Sequence, residues 1–343
     1  MKRFLIPMFL MAILFAPLKM MGQTKQMMFG VAFYNLENLF DTIPNNPYGR
    51  DVEFTPQGSN QWDGRKFWSK IKNLSYAISQ LKTDYTPDGP AVIGCSEIEN
   101  ITVLQDLVKA EAIRNWNLQV IHHDSPDRRG IDVGLLYNPR FFKPINVTNH
   151  RLDIGYPTRD QMCVVGLLGG CRTAIIVNHW PSRRGGEAES SPNREAAAAL
   201  TRQICDSLYK VDPNMGVIIM GDLNDDPSNK SVSVVLGAVK NEKDCKEGGY
   251  FNPFWKKLDD GIGSYIYRGG WDLFDQIIVN YNLLKGKNGL TYKNSKVWNL
   301  PFLLQQDGQY KGYPLRTYSQ GRWTNGYSDH LPTEIFLVKE IKK

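Results

Sequence analysis

Gly216-Val217-Ile218-Ile219-Met220-Gly221-Asp222-Leu223-Asn224 is an apolar run that ends on an acid and an amide. Read as a strand, it projects Asp222 and Asn224 to one side while Leu223 points away. The pattern recurs along the chain. Met28–Tyr34 runs into Asn35, Ala91–Ser96 into Glu97, and Ala174–Asn178 into His179. Two further runs reverse the order: Asp275 precedes Gln276–Val279, and Asp329-His330 precedes Leu331–Val338. If the last two strands lie antiparallel to the others, all six polar ends meet on one rim of a sheet assembly. Four acids, two amides and two imidazoles on one rim suit an oxygen-liking metal and a phosphate.

The first residues read as a targeting segment. Lys2 and Arg3 precede the apolar stretch Phe4–Leu18, which Pro7 and Pro17 interrupt, and a small residue, Gly22, offers a cut. The expectation is a signal peptide over 1–22 and export to the periplasm or beyond, with an uncleaved anchor as the lesser reading. Removing that segment lowers the net charge from +6 by three, too mild a balance to establish nucleic-acid binding. Arginines cluster more tellingly in the middle third: Arg128-Arg129, Arg159, Arg172 and Arg183-Arg184. Solvated loops on a basic protein account for them equally well. The five cysteines have no C-x-x-C spacing, which speaks against a zinc site, although export would permit a disulfide. Cys95 lies inside an apolar run and reads as a small core residue. No repeat or linker divides residues 23–343, and the six ends span Asn35 to His330. One catalytic domain, expected to act as a monomer, is the economical reading.

Between these runs, Phe67, Ile71, Leu74, Ile78 and Leu81 recur at helical spacing over 65–81, and a short helix is expected over 102–109. Ile131–Tyr137 reads as a buried strand. Gly169-Gly170 joins Val164–Leu168 to Cys171–Val177 as a hairpin. Ser191-Pro192 reads as a helix start leading into Ala196–Leu208. The stretch between Asn280 and Tyr327 is loop-like, either a lid over a site or a surface excursion packed by Trp298, Phe302 and Tyr310. Strands mixed with helices and an antiparallel hairpin exclude a purely parallel sheet.

Glu97 ends a run so apolar that its strand is expected to be buried on both faces, and a carboxylate there needs a cation or donors. Mg²⁺ takes one or two carboxylates and completes its shell with water and substrate oxygen; a structural salt bridge is the alternative. Asn35 would add an amide oxygen to that ion or cap a turn. In Ser328-Asp329-His330, adjacent side chains diverge. Asp329 would face the metal and His330 the phosphate, and Asp275 would hold the His330 ring. Three consecutive residues cannot form a hydrolytic relay, so Ser328 is no nucleophile. His179, beside Arg183 and Arg184, suits an anion better than a metal.

Together these segments resemble the endonuclease/exonuclease/phosphatase superfamily. The resemblance rests on Phe33-Tyr34-Asn35-Leu36-Glu37-Asn38-Leu39-Phe40, Ile93-Gly94-Cys95-Ser96-Glu97 and Arg129-Gly130-Ile131-Asp132-Val133-Gly134-Leu135-Leu136-Tyr137. It continues in family order through Val177-Asn178-His179-Trp180, Gly221-Asp222-Leu223-Asn224, Phe274-Asp275-Gln276-Ile277 and Ser328-Asp329-His330-Leu331-Pro332. The resemblance implies an α/β (α+β) four-layer sandwich, two mixed β-sheets face to face with helices outside. It implies a divalent-metal phosphoesterase in which Asn35, Glu97 and Asp329 bind Mg²⁺, with Mn²⁺ or Ca²⁺ as alternatives. His179, Asp222, Asn224, Asp275 and His330 would be catalytic, and Arg129 would touch the phosphate. The expected substrate is DNA or RNA. The alternatives are a phospholipid, inositol phosphate or sugar phosphate, with Trp298, Tyr310, Tyr313 and Tyr318 lining the pocket or stacking on bases. A non-catalytic binder on the same fold is a further possibility, which the full set of acids and histidines argues against.

Overall fold

The structure, a computed structural model, describes residues 25–45 and 51–341. The expected signal segment, residues 1–22, lies outside them. In chain order the strands are β1 (Lys25–Leu39), β2 (Val92–Ile98), β3 (Gln119–His122), β4 (Asp132–Tyr137), β5 (Phe142–His150) and β6 (Gln161–Leu168). They continue with β7 (Cys171–His179), β8 (Gly216–Asp222), β9 (Ala238–Val239), β10 (Tyr250–Phe251), β11 (Tyr265–Tyr267) and β12 (Gly270–Asp272). The last are β13 (Asp275–Asn280), β14 (Thr291–Val297), β15 (Tyr318–Ser319), β16 (Arg322–Trp323) and β17 (Thr333–Ile341). One sheet has the order β14-β17-β1-β2-β4-β3 and the other β5-β6-β7-β8-β13-β10-β9. Both mix parallel and antiparallel pairs: β1 is parallel to β2, β7 is parallel to β8, and β13 and β17 run against their neighbours.

Residue alternation explains how the layers assemble. In the second sheet Ile175, Val177, Ile218, Met220, Ile277 and Val279 face the first sheet and share one core with Phe33, Ile93 and Ile335. The intervening Ala174, Ile176, Val217, Ile219 and Ile278 turn outward, onto Ala197, Ala198 and Ile204 of helix α3 (Glu187–Val211). Strands covered on both faces must be apolar at every position, and the unbroken runs record that. On the first sheet's side, helices α1 (Gly64–Ser79) and α2 (Ile101–Lys109) bury Phe67, Ile71, Leu74, Val103, Leu104 and Leu107. The result is the four-layer sandwich. Gly94 sets the approach of the sheets, since a Cβ there would lie 2.4 Å from the sulfur of Met220.

Some expectations need correction. Helix α3 starts at Glu187, a turn before Ser191-Pro192. Arg194 holds that extra turn, because its Nη2 donates to the Glu187 carbonyl at 3.0 Å. Pro192 then removes only one internal hydrogen bond. The stretch after Asn280 is not a loop throughout: it holds a short helix (Tyr281–Leu284), the edge strand β14 and the ribbon β15–β16. The five cysteines are all buried and unbridged.

Candidate active site

Strand register gathers the second sheet's polar residues. His179 of β7 pairs with Asp222 of β8, and Asp222 pairs with Asp275 of β13. Three neighbouring strands thus carry an imidazole and two carboxylates in one row. The first sheet contributes through a distortion. Ser96 pairs with Asn35, but Glu97 pairs with nothing: the ladders on both sides of β2 skip from Ser96 to Ile98. Glu97 has φ +58°, and the facing bend of β1 puts Glu37 and Asn38 at +46° and +49°. A bulge re-aims a side chain that regular alternation would send elsewhere, at a conformational cost typical of functional sites.

Asp222 is the hub. Its Oδ2 accepts from Asn35 Nδ2 at 3.0 Å, and its Oδ1 from the Asn224 backbone N–H at 3.0 Å. His179 Nε2 lies 3.6 Å from Oδ2 and His330 Nε2 lies 3.8 Å from it. Burial, with Asp275 and Glu97 nearby, raises its carboxyl to about 7 against the opposing pull of His330. On the other side of His330, Nδ1 meets Asp275 Oδ2 at 2.7 Å, and Ser264 Oγ donates to the same oxygen at 2.5 Å. Burial alone would lower the His330 pKa, but Asp275 and Asp222 outweigh it and hold the ring well above the ordinary value. His179 is the opposite case: burial and Arg159 depress it well below the usual imidazole range. Their surroundings thus push the two imidazoles in opposite directions, His330 toward the charged form and His179 toward the neutral one. The ring of Tyr265 packs against His330 at 4.7 Å and against Phe274 at 5.3 Å.

A second set of carboxylates adjoins the hub. Arg129 clasps Glu97 with Nη1 and Nη2 at 3.2 and 3.1 Å and reaches Asn38 Oδ1 at 2.7 Å. Burial pushes the Glu97 carboxyl up, but Arg129 and both histidines hold it far below the usual range. Arg316 bridges Glu37 Oε1 at 3.1 Å and Asp329 Oδ2 at 2.9 Å, and Lys70 stands 3.8 Å from Glu37. Even so, burial and Asp329 leave Glu37 raised to about 7.

This oxygen set fits a hard divalent cation. Asn35, Glu97 and Asp329 bring an amide oxygen, which also accepts from the Glu37 N–H at 2.9 Å, and two carboxylates, each paired with an arginine. Asp222, Asp275 and His330 also present ligand atoms within 4.8 Å of one another. There, however, Asp275 Oδ2 is already spent on His330 Nδ1 and Ser264 Oγ, which leaves His330 Nε2 and Asp222 on the open side.

All nine sequence-derived residues therefore lie around one centre, with adjustments. Arg129 grips Glu97, the residue expected to hold the ion. Arg159 is structural: it pairs with Asp127 at 3.0 Å and holds the carbonyls of His179 and Trp180. Trp298, Tyr310, Tyr313 and Tyr318 do not line the cleft over this centre, which measures about 670 Å³; its aromatic walls are Tyr265, Tyr267 and Phe274. Sequence reading assigned no role to Glu37, Lys70 or Arg316. Glu37 stood inside the matching Asn35–Asn38 segment and offered a signal; the two cations come from a helix and a loop with none.

A model of the endonuclease/exonuclease/phosphatase family matches residues 30–339. No curated protein matches the chain in sequence. Among solved structures, D. rerio TDP2 complexed with single-strand DNA product superposes with TM-score 0.56 at 14% identity, covering 90% of this chain and 98% of that one. A mannosyl-6-phosphatase from Bacteroides thetaiotaomicron superposes with TM-score 0.52 at 16% identity, covering 90% and 99%. A family protein of the same organism gives 0.53 at 16%, covering 93% and 98%. At such identities the likeness is one of fold.

Proposed function

The chain belongs to the endonuclease/exonuclease/phosphatase family and is a hydrolase of phosphate esters, and within that class we propose an exported, divalent-metal-dependent phosphodiesterase that cleaves DNA or RNA. Asn35, Glu97 and Asp329 would hold the ion, which when bound supplies positive charge against the phosphoryl oxygens. Asp222, fixed by Asn35 and the Asn224 amide, orients the attacking water and takes its proton. His330 is locked at Nδ1 by Asp275, so its Nε2–H is free to donate to a non-bridging oxygen. His179 Nε2, 3.6 Å from the same Asp222 oxygen, is a second donor to the phosphate. The fixed donors stabilise the charge that develops as water attacks in line.

The observation that carries this reading is Asp222 at the floor of the cleft, with both histidines within 3.8 Å of one of its oxygens. The test is turnover after chelation and add-back of Mg²⁺, Mn²⁺ or Ca²⁺. The panel is single-stranded DNA, RNA, bis(4-nitrophenyl) phosphate and a hexose 6-phosphate. Cleavage of none of these with any ion refutes the proposal. A sugar phosphate is the second reading, favoured by a cleft whose 670 Å³ lies in the range of small-molecule sites. For export, the test is the N-terminus of the secreted protein, expected at Gln23.

A further inference from the structure

Of the arginines clustered in the middle third, most are already occupied. Arg129 grips Glu97, Arg159 grips Asp127, and Arg172 lies 3.7 Å from Asp212. Arg183 looks like a substrate ligand in sequence, but it is caged: its Nη2 is 3.4 Å from both Asp225 and Asp226, its Nη1 is 3.2 Å from Glu187, and its Nε donates to the Asn224 carbonyl at 2.9 Å. A guanidinium held by so many acceptors has little left for a ligand. Two arginines of the same cleft differ. Arg184, on the loop between β7 and α3, and Arg268, at the tip of the β11–β12 ribbon, both line it and are exposed. Neither has a carboxylate partner among the described residues.

The ribbon is built to present Arg268. Tyr267 pairs with Gly270, so Arg268-Gly269 is a two-residue turn, and both of its residues have positive φ, +49° and +86°. Such a turn favours Asn-Gly, and an arginine there costs roughly 1 kcal/mol of backbone energy. The adjacent Tyr267 ring is 57% exposed and lies 5.2 Å from the Arg268 guanidinium. It offers an aromatic face beside the charge.

We infer that Arg184 and Arg268 form a second anion subsite at the mouth of the cleft, which receives a phosphate neighbouring the one being hydrolysed. The substrate class is thus a phosphate ester with at least one further phosphate, either a nucleic-acid strand or a bisphosphorylated small molecule. This rests on the phosphoesterase reading above and adds what selects the substrate. Arg184 and Arg268 touch nothing at the reacting centre, so they act on binding of the extended substrate.

The test compares wild type with R184A/R268A on three esters: a short single-stranded DNA, a hexose bisphosphate and bis(4-nitrophenyl) phosphate, which has a single phosphate. For at least one of the first two, kcat/KM relative to bis(4-nitrophenyl) phosphate is expected to fall on the order of tenfold, through KM. Which one falls identifies the source of the second phosphate. For the DNA, the salt dependence of binding should also flatten, by about 0.7 per lost contact in the log–log slope. Unchanged ratios for both overturn the subsite. Should no ester be cleaved, the hydrolase proposal fails by itself. Fluorescence anisotropy of labelled DNA and calorimetric titration of the hexose bisphosphate then decide the subsite: weaker binding of either by the variant supports it, and equal binding of both refutes it.

Discussion

At the scale of single residues, environment divides the work among chemically similar groups. Asp222 and Asp275 are register partners on adjacent strands, yet one faces the cleft and the other is spent holding an imidazole. Replacing His330 by Ala removes the Nε2 donor and is expected to lower kcat on the order of 10²–10⁴-fold, the range for a lost acid–base group. Glu97→Gln should keep the bulge and abolish metal-supported turnover. Near-wild-type rates in both variants would sink the site assignment. A buried acid that takes no part in this centre bears on stability instead. Glu334 in β17 accepts from Trp298 Nε1 at 2.8 Å, and burial raises its carboxyl to about 8. In the unfolded chain it titrates at about 4.3. Because the folded value is the higher one, its stabilisation is complete below about 4.3 and is lost as pH climbs toward 8. Denaturation midpoints should therefore drop across that window. Glu334→Gln, which retains an acceptor for Trp298, should flatten the curve; an unchanged slope would show that Glu334 is ionised in the fold.

Elements show which signals a sequence carries. Strands β2, β7 and β8 were legible because burial on two faces demands apolar residues throughout, and their last residues broke that pattern with chemistry. Strands β5 and β14 were not, because each is an edge strand with one ladder. Ile145 and Val147 of β5 are exposed, and β14, Thr-Tyr-Lys-Asn-Ser-Lys-Val, reads as polar loop. The same limit hid Arg316, whose role depends on a fold-back onto Glu37 from 279 residues away. Helix α3 was half legible. Its alanine-rich body announced itself, whereas its first turn depends on Arg194. That guanidinium is fully buried, with Nε 2.7 Å from Asp225 Oδ1 and Nη1 donating to Ser190 Oγ at 2.8 Å. Arg194→Met would strand the Asp225 charge and should cost about 3 kcal/mol, the lower end for a broken buried pair, since Ser231 and Arg183 still reach Asp225. Urea denaturation reads this directly. A loss below about 1 kcal/mol would mean the pair is dispensable.

Over the whole molecule, function depends on two sheets staying in register face to face. Asn35 and Glu97 come from one sheet; His179, Asp222 and Asp275 come from the other. Gly94 stands against Met220 where β2 crosses β8. Gly94→Val should therefore push the sheets apart, at about 1–3 kcal/mol for overpacking. It should also lower kcat by more than the stability loss explains, because Glu97 is three residues along the same strand. Equal kcat at a temperature where both proteins are folded would show that the site tolerates sheet displacement.

Strand β1 lies between β2 and β17, and Lys25 pairs with Ile341. The pocket floor is thus sewn shut by pairing between the first and the last strands of the fold. Any product of premature termination upstream of Asp329 lacks both the His330 imidazole and the strand that props Asn35 in place. A chain clipped between these two strands is accordingly expected to be inert toward phosphate esters.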